Sequence, residues 1–181
     1  VEAGGRLVAD TGRRDFFQAG FLNYNAAPAG VKNLPARQDP VIGGRFALVE
    51  LLRNGCTTVV EIGTAAEEHA AIVEELGMRA YLSPAYKSYD YRVGPHGDLS
   101  YELHEQAGLR ALERAQDFIR RHHGAQSGRL QGMLFPFQVE TCSPALLRAT
   151  RKAANELGVG IEIHAGQNLL DIAFLWSGSG L

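Results

Sequence analysis

Cysteine is scarce in this chain. Cys56 and Cys142 are the only two among 181 residues, and they form no CxxC pair. That excludes a cysteine-built zinc ribbon and a thioredoxin-type redox motif, and both read as free thiols of a reducing, cytoplasmic compartment. Excess charge of either sign is also missing: 18 Lys+Arg against 20 Asp+Glu leave a net charge of −2. No basic surface is available for nucleic acid, and no Lys/Arg run for an anionic membrane. No apolar run is long enough to span a bilayer, and no secretory signal opens the chain. Phosphate-cradling loops are absent too. There is neither a GxGxxG after a strand nor a GxxxxGK[ST], and no GxSxG that would expose a nucleophilic serine on a sharp turn.

What the chain does have is a hydrophobic content of 45%, enough for one packed core. Residues 1–38 are irregular and Gly-rich, with Pro28, Pro35 and the aromatics Phe16, Phe17, Phe21 and Tyr24. No basic residues interleave with these rings as single-strand binding would need, so the segment is expected to pack on the body formed by 39–181.

From Asp39 the pattern becomes regular. Asp39 and Pro40 start a helix whose apolar face includes Phe46, Val49 and Leu52, and Gly55 ends it. Thr57 to Ile62 is β-branched and apolar, the signature of a buried strand. A helix over Ala65–Leu76 follows, then a strand over Met78–Ser83 closed by Pro84. Tyr86 to Ser100 reads as a polar excursion. A long helix is expected over Glu102–His122, a strand over Arg129–Phe135 ended by Pro136, and a helix from Ser143-Pro144 to Leu157. Val159–His164 is the last strand, and Asn168–Trp176 could begin one more helix.

Alternation of helices with buried strands implies a parallel α/β sheet. Two architectures fit: part of a (β/α)₈ TIM barrel, which in full needs about 250 residues, or an open doubly wound α/β sheet. Both place ligands at the carboxyl ends of the strands. Those tips carry Glu61, Gly63 and Thr64; then Pro84, Tyr86 and Lys87; then Phe137, Gln138, Glu140 and Thr141; and finally His164 and Gln167. Glu61 lies in an otherwise apolar strand, where a carboxylate is costly unless it ligates or pairs, Arg79 and Lys87 being the structural partners in reach. Cys142, just before a helix, is either a structural thiol or one activated by the helix N-terminus. His69 reads as surface and His122-His123 as a solvated helix end; His96 and His104 flank the polar loop as candidate ligands. His164 is either a metal or catalytic group or the hydrogen-bonded end of a strand.

The run Ala47-Leu48-Val49-Glu50-Leu51-Leu52-Arg53-Asn54-Gly55-Cys56-Thr57-Thr58-Val59-Val60-Glu61 resembles the "ALxELLRxGxTTVV" signature of the amidohydrolase superfamily. Glu75 to Ala80 looks like that group's "ELGxRA", Thr141 to Arg148 like its "TCSPELLR", and Glu156 to Ala165 like its "ELGxxIxIHxA". The similar branch is that of chlorohydrolases, aminohydrolases and deaminases. The resemblance implies a piece of a metal-containing (β/α)₈ barrel, covering about strands two to five, with His164 as the fifth-strand metal ligand. The family's HxH and its later histidine and aspartate have no counterpart here. It further implies one divalent ion, zinc by default with iron, cobalt or manganese as alternatives, His164 binding through one ring nitrogen with its other N–H held by an acceptor. The ion would lower the pKa of water for hydrolysis of a C–N bond in an amide, amidine or aminated ring, or of C–Cl.

Two departures bear on the chemistry. Where many relatives read HxxE, this chain has Gln167, which can orient substrate or water but cannot be a general base. Where many carry "PH" after the fourth strand, this chain reads Pro136-Phe137, with Glu140 nearby to supply a carboxylate. The expected site is therefore Gln167 and Glu140 in catalysis, Gln138, Glu61 and Lys87 toward a small-molecule substrate, and His164 on the metal. The alternative is a non-catalytic α/β binding domain with His164 structural. A half barrel would also leave a sheet edge for assembly with another chain, a homo-oligomer included.

Overall fold

The structure is a computed structural model and describes residues 40–63, 65–93 and 99–166. The 1–38 segment, the N-cap at Asp39, Gln167, His96 and the helix expected from Asn168 lie outside the described residues.

Helix α1 spans Pro40–Arg53 and strand β1 Thr58–Glu61. Gly55 between them takes φ +83°, the left-handed conformation that a helix stop requires. Helix α2 (Ala66–Leu76) buries Ala66, Ala70, Ile72 and Val73, and Gly77 caps it at φ 69°. Strand β2 follows at Arg79–Leu82. That strand ends before Pro84, as expected. Pairing resumes at once in β3 (Ala85–Tyr86), because a proline removes one donor without preventing extended backbone.

The polar excursion is in fact an antiparallel hairpin. Strand β4 (Tyr89–Val93) pairs with β5 (Leu99–Leu103), Tyr89 opposite Leu103 and Asp90 opposite Glu102. Cross-strand pairing orders a segment whose polarity hides any alternation, and Tyr89 and Tyr101 pack edge to face at 6.2 Å. The long helix, α3, consequently starts at Glu105, since Glu102 and Leu103 belong to β5. It ends at His122 and buries Gly108, Leu112, Ala115, Phe118 and Ile119 along one stripe, with Arg120, Arg121 and His122 in its last turn, where cations suit the helix dipole. A turn at Ala125–Gly128 follows, with Gln126 and Ser127 at positive φ. Strands β6 (Leu130–Gly132) and β7 (Phe135–Pro136) precede helix α4 (Pro144–Leu157). Ser143 caps α4 by accepting the Leu146 N–H at 3.0 Å, Pro144 fills the first turn, and Gly158 ends it at φ 67°.

Strands β1, β2 and β6 form one parallel sheet in that order. It continues as the β3–β7 pair, and Leu134 and Gln138 bridge in parallel to Ile161 and His164. The spatial order is therefore the chain order. Val59, Ala80, Leu82 and Leu130 face a core shared with Leu48, Ile72, Phe118, Ile119 and Leu146. On the other face Val60 and Tyr81 stand in register and are 52% and 44% exposed. A doubly wound sheet reverses its order and covers both faces with helices. Sequential order with one face covered by the described residues is a section of (β/α)₈ wall, an open arc and not a closed barrel. Among the described residues no helix is long and apolar enough to cross a membrane.

Candidate functional site

His164 reaches its place through the β7 edge. Leu134 N–H donates to the Gly160 carbonyl at 2.9 Å and Glu162 N–H to the Leu134 carbonyl at 2.9 Å. Further on, His164 N–H donates to Phe137 O at 3.3 Å and Val139 N–H to His164 O at 3.0 Å. Between the two bridges, 134 to 161 and 138 to 164, the β7 side advances one residue more than its neighbour. That is a β-bulge, and it falls where Pro136 has no N–H for the next ladder bond. Bulges re-aim side chains. Here the Phe135 and Phe137 rings both stand edge-on to the His164 imidazole, with centroids at 5.3 Å and 5.9 Å and interplanar angles of 89° and 78°. The two phenyl rings are also edge to face at 5.8 Å. Among the described residues no hydrogen bond reaches the His164 ring nitrogens, so the acceptor expected to hold its N–H is replaced there by two aromatic contacts.

Beyond the bulge the chain tightens into a single 3₁₀ turn at Val139–Thr141, with Thr141 Oγ1 taking the Gln138 N–H at 3.2 Å and donating to the Gln138 carbonyl at 3.0 Å. This turn sets Gln138 directly beside His164 and buries Glu140, 2% exposed, behind it. Glu140 lies close to Cys142, whose thiol is pushed up to about 12, chiefly by burial, with the Glu140 charge adding to the effect. The thiol's contact is Tyr86 O at 3.9 Å, so Cys142 is a core group and the helix N-terminus does not activate it. Burial likewise raises the Tyr86 phenol, whose oxygen is 3.0 Å from Thr150 Oγ1.

The hairpin is tied to the same turn. Ser88 N–H donates to Thr141 O at 2.9 Å, Ser88 O accepts from His104 N–H at 2.7 Å, and Ser88 Oγ accepts from Ser143 N–H at 2.7 Å. Ser143 Oγ in turn donates to Glu105 at 2.8 Å, joining the starts of α3 and α4. Ser88 and Phe135 had no marker in the sequence as site-building residues. Pro136 between two phenylalanines was the one available signal for the bulge.

The remaining site residues are placed elsewhere. The Glu61 carboxylate shares the helix-facing side of β1 and meets His69 Nδ1 at 3.3 Å, not Arg79 or Lys87. His69 is accordingly no surface group, its side chain being 12% exposed. Lys87 pairs with Asp90 at 2.6 Å, beside a depression of about 340 Å³ lined by Ser88, Tyr89, Asp90, His104 and Ala107. His104 Nε2 faces Asp90 and Glu102 at 3.6 Å and 3.7 Å. His122 and His123 are also engaged: His122 contacts Glu67 at 2.9 Å, and His123 Nδ1 accepts the Gly132 N–H at 3.2 Å. Among the described residues no group of three His, Cys, Asp or Glu comes together to hold an ion. The described residues therefore supply a single imidazole donor at the strand tips and do not by themselves make a metal site.

Residues 37–174 match the family model described as Amidohydrolase family. A 5-methylthioadenosine/S-adenosylhomocysteine deaminase of Desulforudis audaxviator (strain MP104C) is 33% identical over 142 residues, which is 78% of this chain and 30% of that protein. A 5'-deoxyadenosine deaminase of Methanosarcina barkeri (strain Fusaro / DSM 804) is 32% identical over 150 residues, 83% of this chain and 31% of that protein. In fold the chain is similar to the zinc complex of an atrazine chlorohydrolase from Arthrobacter aurescens TC1, with a TM-score of 0.59 at 20% identity over 91% of this chain and 40% of that one. The chain thus spans about three-tenths of the length of the curated relatives it matches.

Proposed function

The chain belongs to the amidohydrolase family, and from that premise we propose that it carries strands two to five of a metal-dependent hydrolase acting on non-peptide carbon–nitrogen bonds. The observation that carries the reading is the place of His164. It stands at a carboxyl strand tip of a sequentially ordered parallel sheet, beside Gln138, with no hydrogen bond from the described residues on its ring nitrogens. In this reading His164 is one ligand of a divalent ion and the other donors come from residues beyond those described. Such an ion supplies polarisation of the scissile group and activation of water. Zinc is our choice, supported by the zinc complex of the chlorohydrolase of like fold, with iron, cobalt or manganese as alternatives.

The chain's own residues divide the remaining work. Gln138, next to His164, is assigned to substrate contact. Gln167 is assigned to orienting substrate or water, since an amide trades no proton at ordinary pH. That leaves Glu140 as the carboxylate for proton handling. Glu61 and Lys87 are engaged with His69 and Asp90, which takes them out of the substrate-binding set in this reading. The substrate class is a small molecule with an amino group on a heterocycle, as in the adenosine-type compounds named for the two deaminases. Displacement of chloride from a triazine is the variant suggested by the chlorohydrolase. We place the protein in the cytoplasm, without a nucleic-acid or membrane partner and with self-association through the open sheet edge.

The experiment is a panel assay on the longer parent enzyme with 5'-methylthioadenosine, S-adenosylhomocysteine, 5'-deoxyadenosine, guanine and atrazine, reading ammonia or chloride. Turnover that requires a divalent ion and is lost in His164→Ala supports the reading. A second reading, a non-catalytic binding domain with His164 structural, is favoured by the lack of a three-ligand cluster among the described residues. No turnover on any panel substrate, with metal content unchanged in His164→Ala, would establish it.

A further inference from the structure

Metal-ligating histidines are ordinarily held in plane by a hydrogen bond from the second ring nitrogen to a carboxylate, carbonyl or water. His164 has no such partner among the described residues. It has instead two phenyl rings that meet the imidazole at 5.3 Å and 5.9 Å, both near perpendicular. The bulge at Pro136 is what brings both rings to bear. Phe135 is fully buried and anchored in the interior, whereas Phe137 is half-buried and stands at the strand tip itself.

We propose that Phe137, backed by Phe135, is a positioning residue for His164: the two phenyl rings set the plane of the imidazole and leave both of its nitrogens available at the strand tip. A histidine's ring torsion is broad and roughly two-fold, so an unbracketed ring samples orientations that point neither nitrogen at a ligand. Offset and edge-to-face aromatic pairs prefer a defined geometry, and two of them on one imidazole restrict that torsion without occupying a nitrogen. The arrangement differs from a hydrogen-bonded histidine in one further way. It selects no tautomer, so either nitrogen can serve. The consequence for a metal rests on the reading of His164 as a ligand; the consequence for the ring plane does not.

The test uses the whole 181-residue chain with isotope-labelled histidine, the His164 signals being assigned by their loss in His164→Gln. The wild type is expected to show nuclear Overhauser contacts from the His164 ring protons to both phenyl rings, with ring-current shifts. Phe137→Leu keeps apolar volume but removes the ring. It should remove the Phe137 part of the shift and average the ring orientation. Phe137→Tyr keeps the ring and should keep both properties, which separates loss of the ring from loss of fold. The proposal is overturned if His164 in Phe137→Leu retains the wild-type ring orientation, or if Phe137→Tyr behaves like Phe137→Leu. If turnover and metal content of the longer parent survive His164→Ala while these ring responses are as expected, the bracket stands and the metal reading above fails.

Discussion

Two helix glycines have opposite consequences when replaced by alanine, although local propensity treats them alike. In an exposed helix interior Gly→Ala is worth about 0.8–1 kcal/mol. Gly43, in α1, has nothing within 4 Å of an added Cβ. Gly43→Ala should therefore stabilise by about that full amount, raising Tm by roughly 2–4 °C for a chain of this size. Gly108, in α3, is buried against the β3–β4 link, and a Cβ there would lie 2.8 Å from Ser88 Cβ, 3.0 Å from Lys87 O and 3.1 Å from Ser88 Cα. Two of those three atoms are backbone, and Ser88 is held by hydrogen bonds to Thr141, His104 and Ser143. The link cannot retreat without loosening the turn behind His164. Overpacking of this kind costs about 1–3 kcal/mol, and more where nothing yields. Setting the upper part of that range against the propensity gain leaves Gly108→Ala about 1–2 kcal/mol less stable, a fall of roughly 2–8 °C in Tm. Thermal and urea unfolding of both variants beside the wild type checks this. An equal gain from both substitutions would refute the close approach of α3 to the Ser88 backbone, and with it the account of how the hairpin is fastened.

Ser143→Ala removes the cap of α4 and the bond to Glu105, and should cost about 1–2 kcal/mol in urea unfolding; a change under about 0.3 would contradict the capping geometry. The Cys142 thiol, held near 12 by burial, should resist alkylation in the native state at pH 8 while the half-buried Cys56 reacts. Because its folded pKa is raised, the stability that this thiol contributes is complete below its unfolded value near 9 and fades as pH rises toward 12, which an alkaline melting series on Cys142→Ala against wild type would register. Glu67 has its carboxyl lowered, first by the hydrogen bond from Arg121, so its contribution is present above the ordinary carboxylate range and vanishes as pH falls through the lowered value. The pair is half exposed, so Glu67→Gln should cost no more than about 1 kcal/mol at pH 7 and less in high salt. The 181-residue chain alone should show no turnover on any panel substrate even with added zinc. Activity in that chain would overturn the assignment of the missing donors to residues outside it.

Local chemistry alone located the helices and their stops, because Gly55, Gly77 and Gly158 and the pair Ser143-Pro144 act within a turn of chain. The β strands were legible in part: Thr58–Glu61 is a β-branched run bounded by glycine, but its Val60 side is exposed where burial on both faces was expected, and the strand expected at Val159–His164 pairs only through bridges at Ile161 and His164. His164 was legible as a polar residue closing an apolar run. The hairpin at Tyr89–Leu103 was not, since its order comes from pairing across the chain and from Ser88 gripping the turn at Thr141. Nor could the sequence say which way Glu61 points. Register alone turns it to the helix side, where His69 meets it. The choice between a barrel wall and a doubly wound sheet also waited for the structure, because helix–strand alternation is common to both and strand order is a property of the sheet. What tertiary structure decided at the candidate site is the setting of His164. A proline that could not complete a ladder bond shifted one strand by a residue, and two phenyl rings closed on the imidazole of His164.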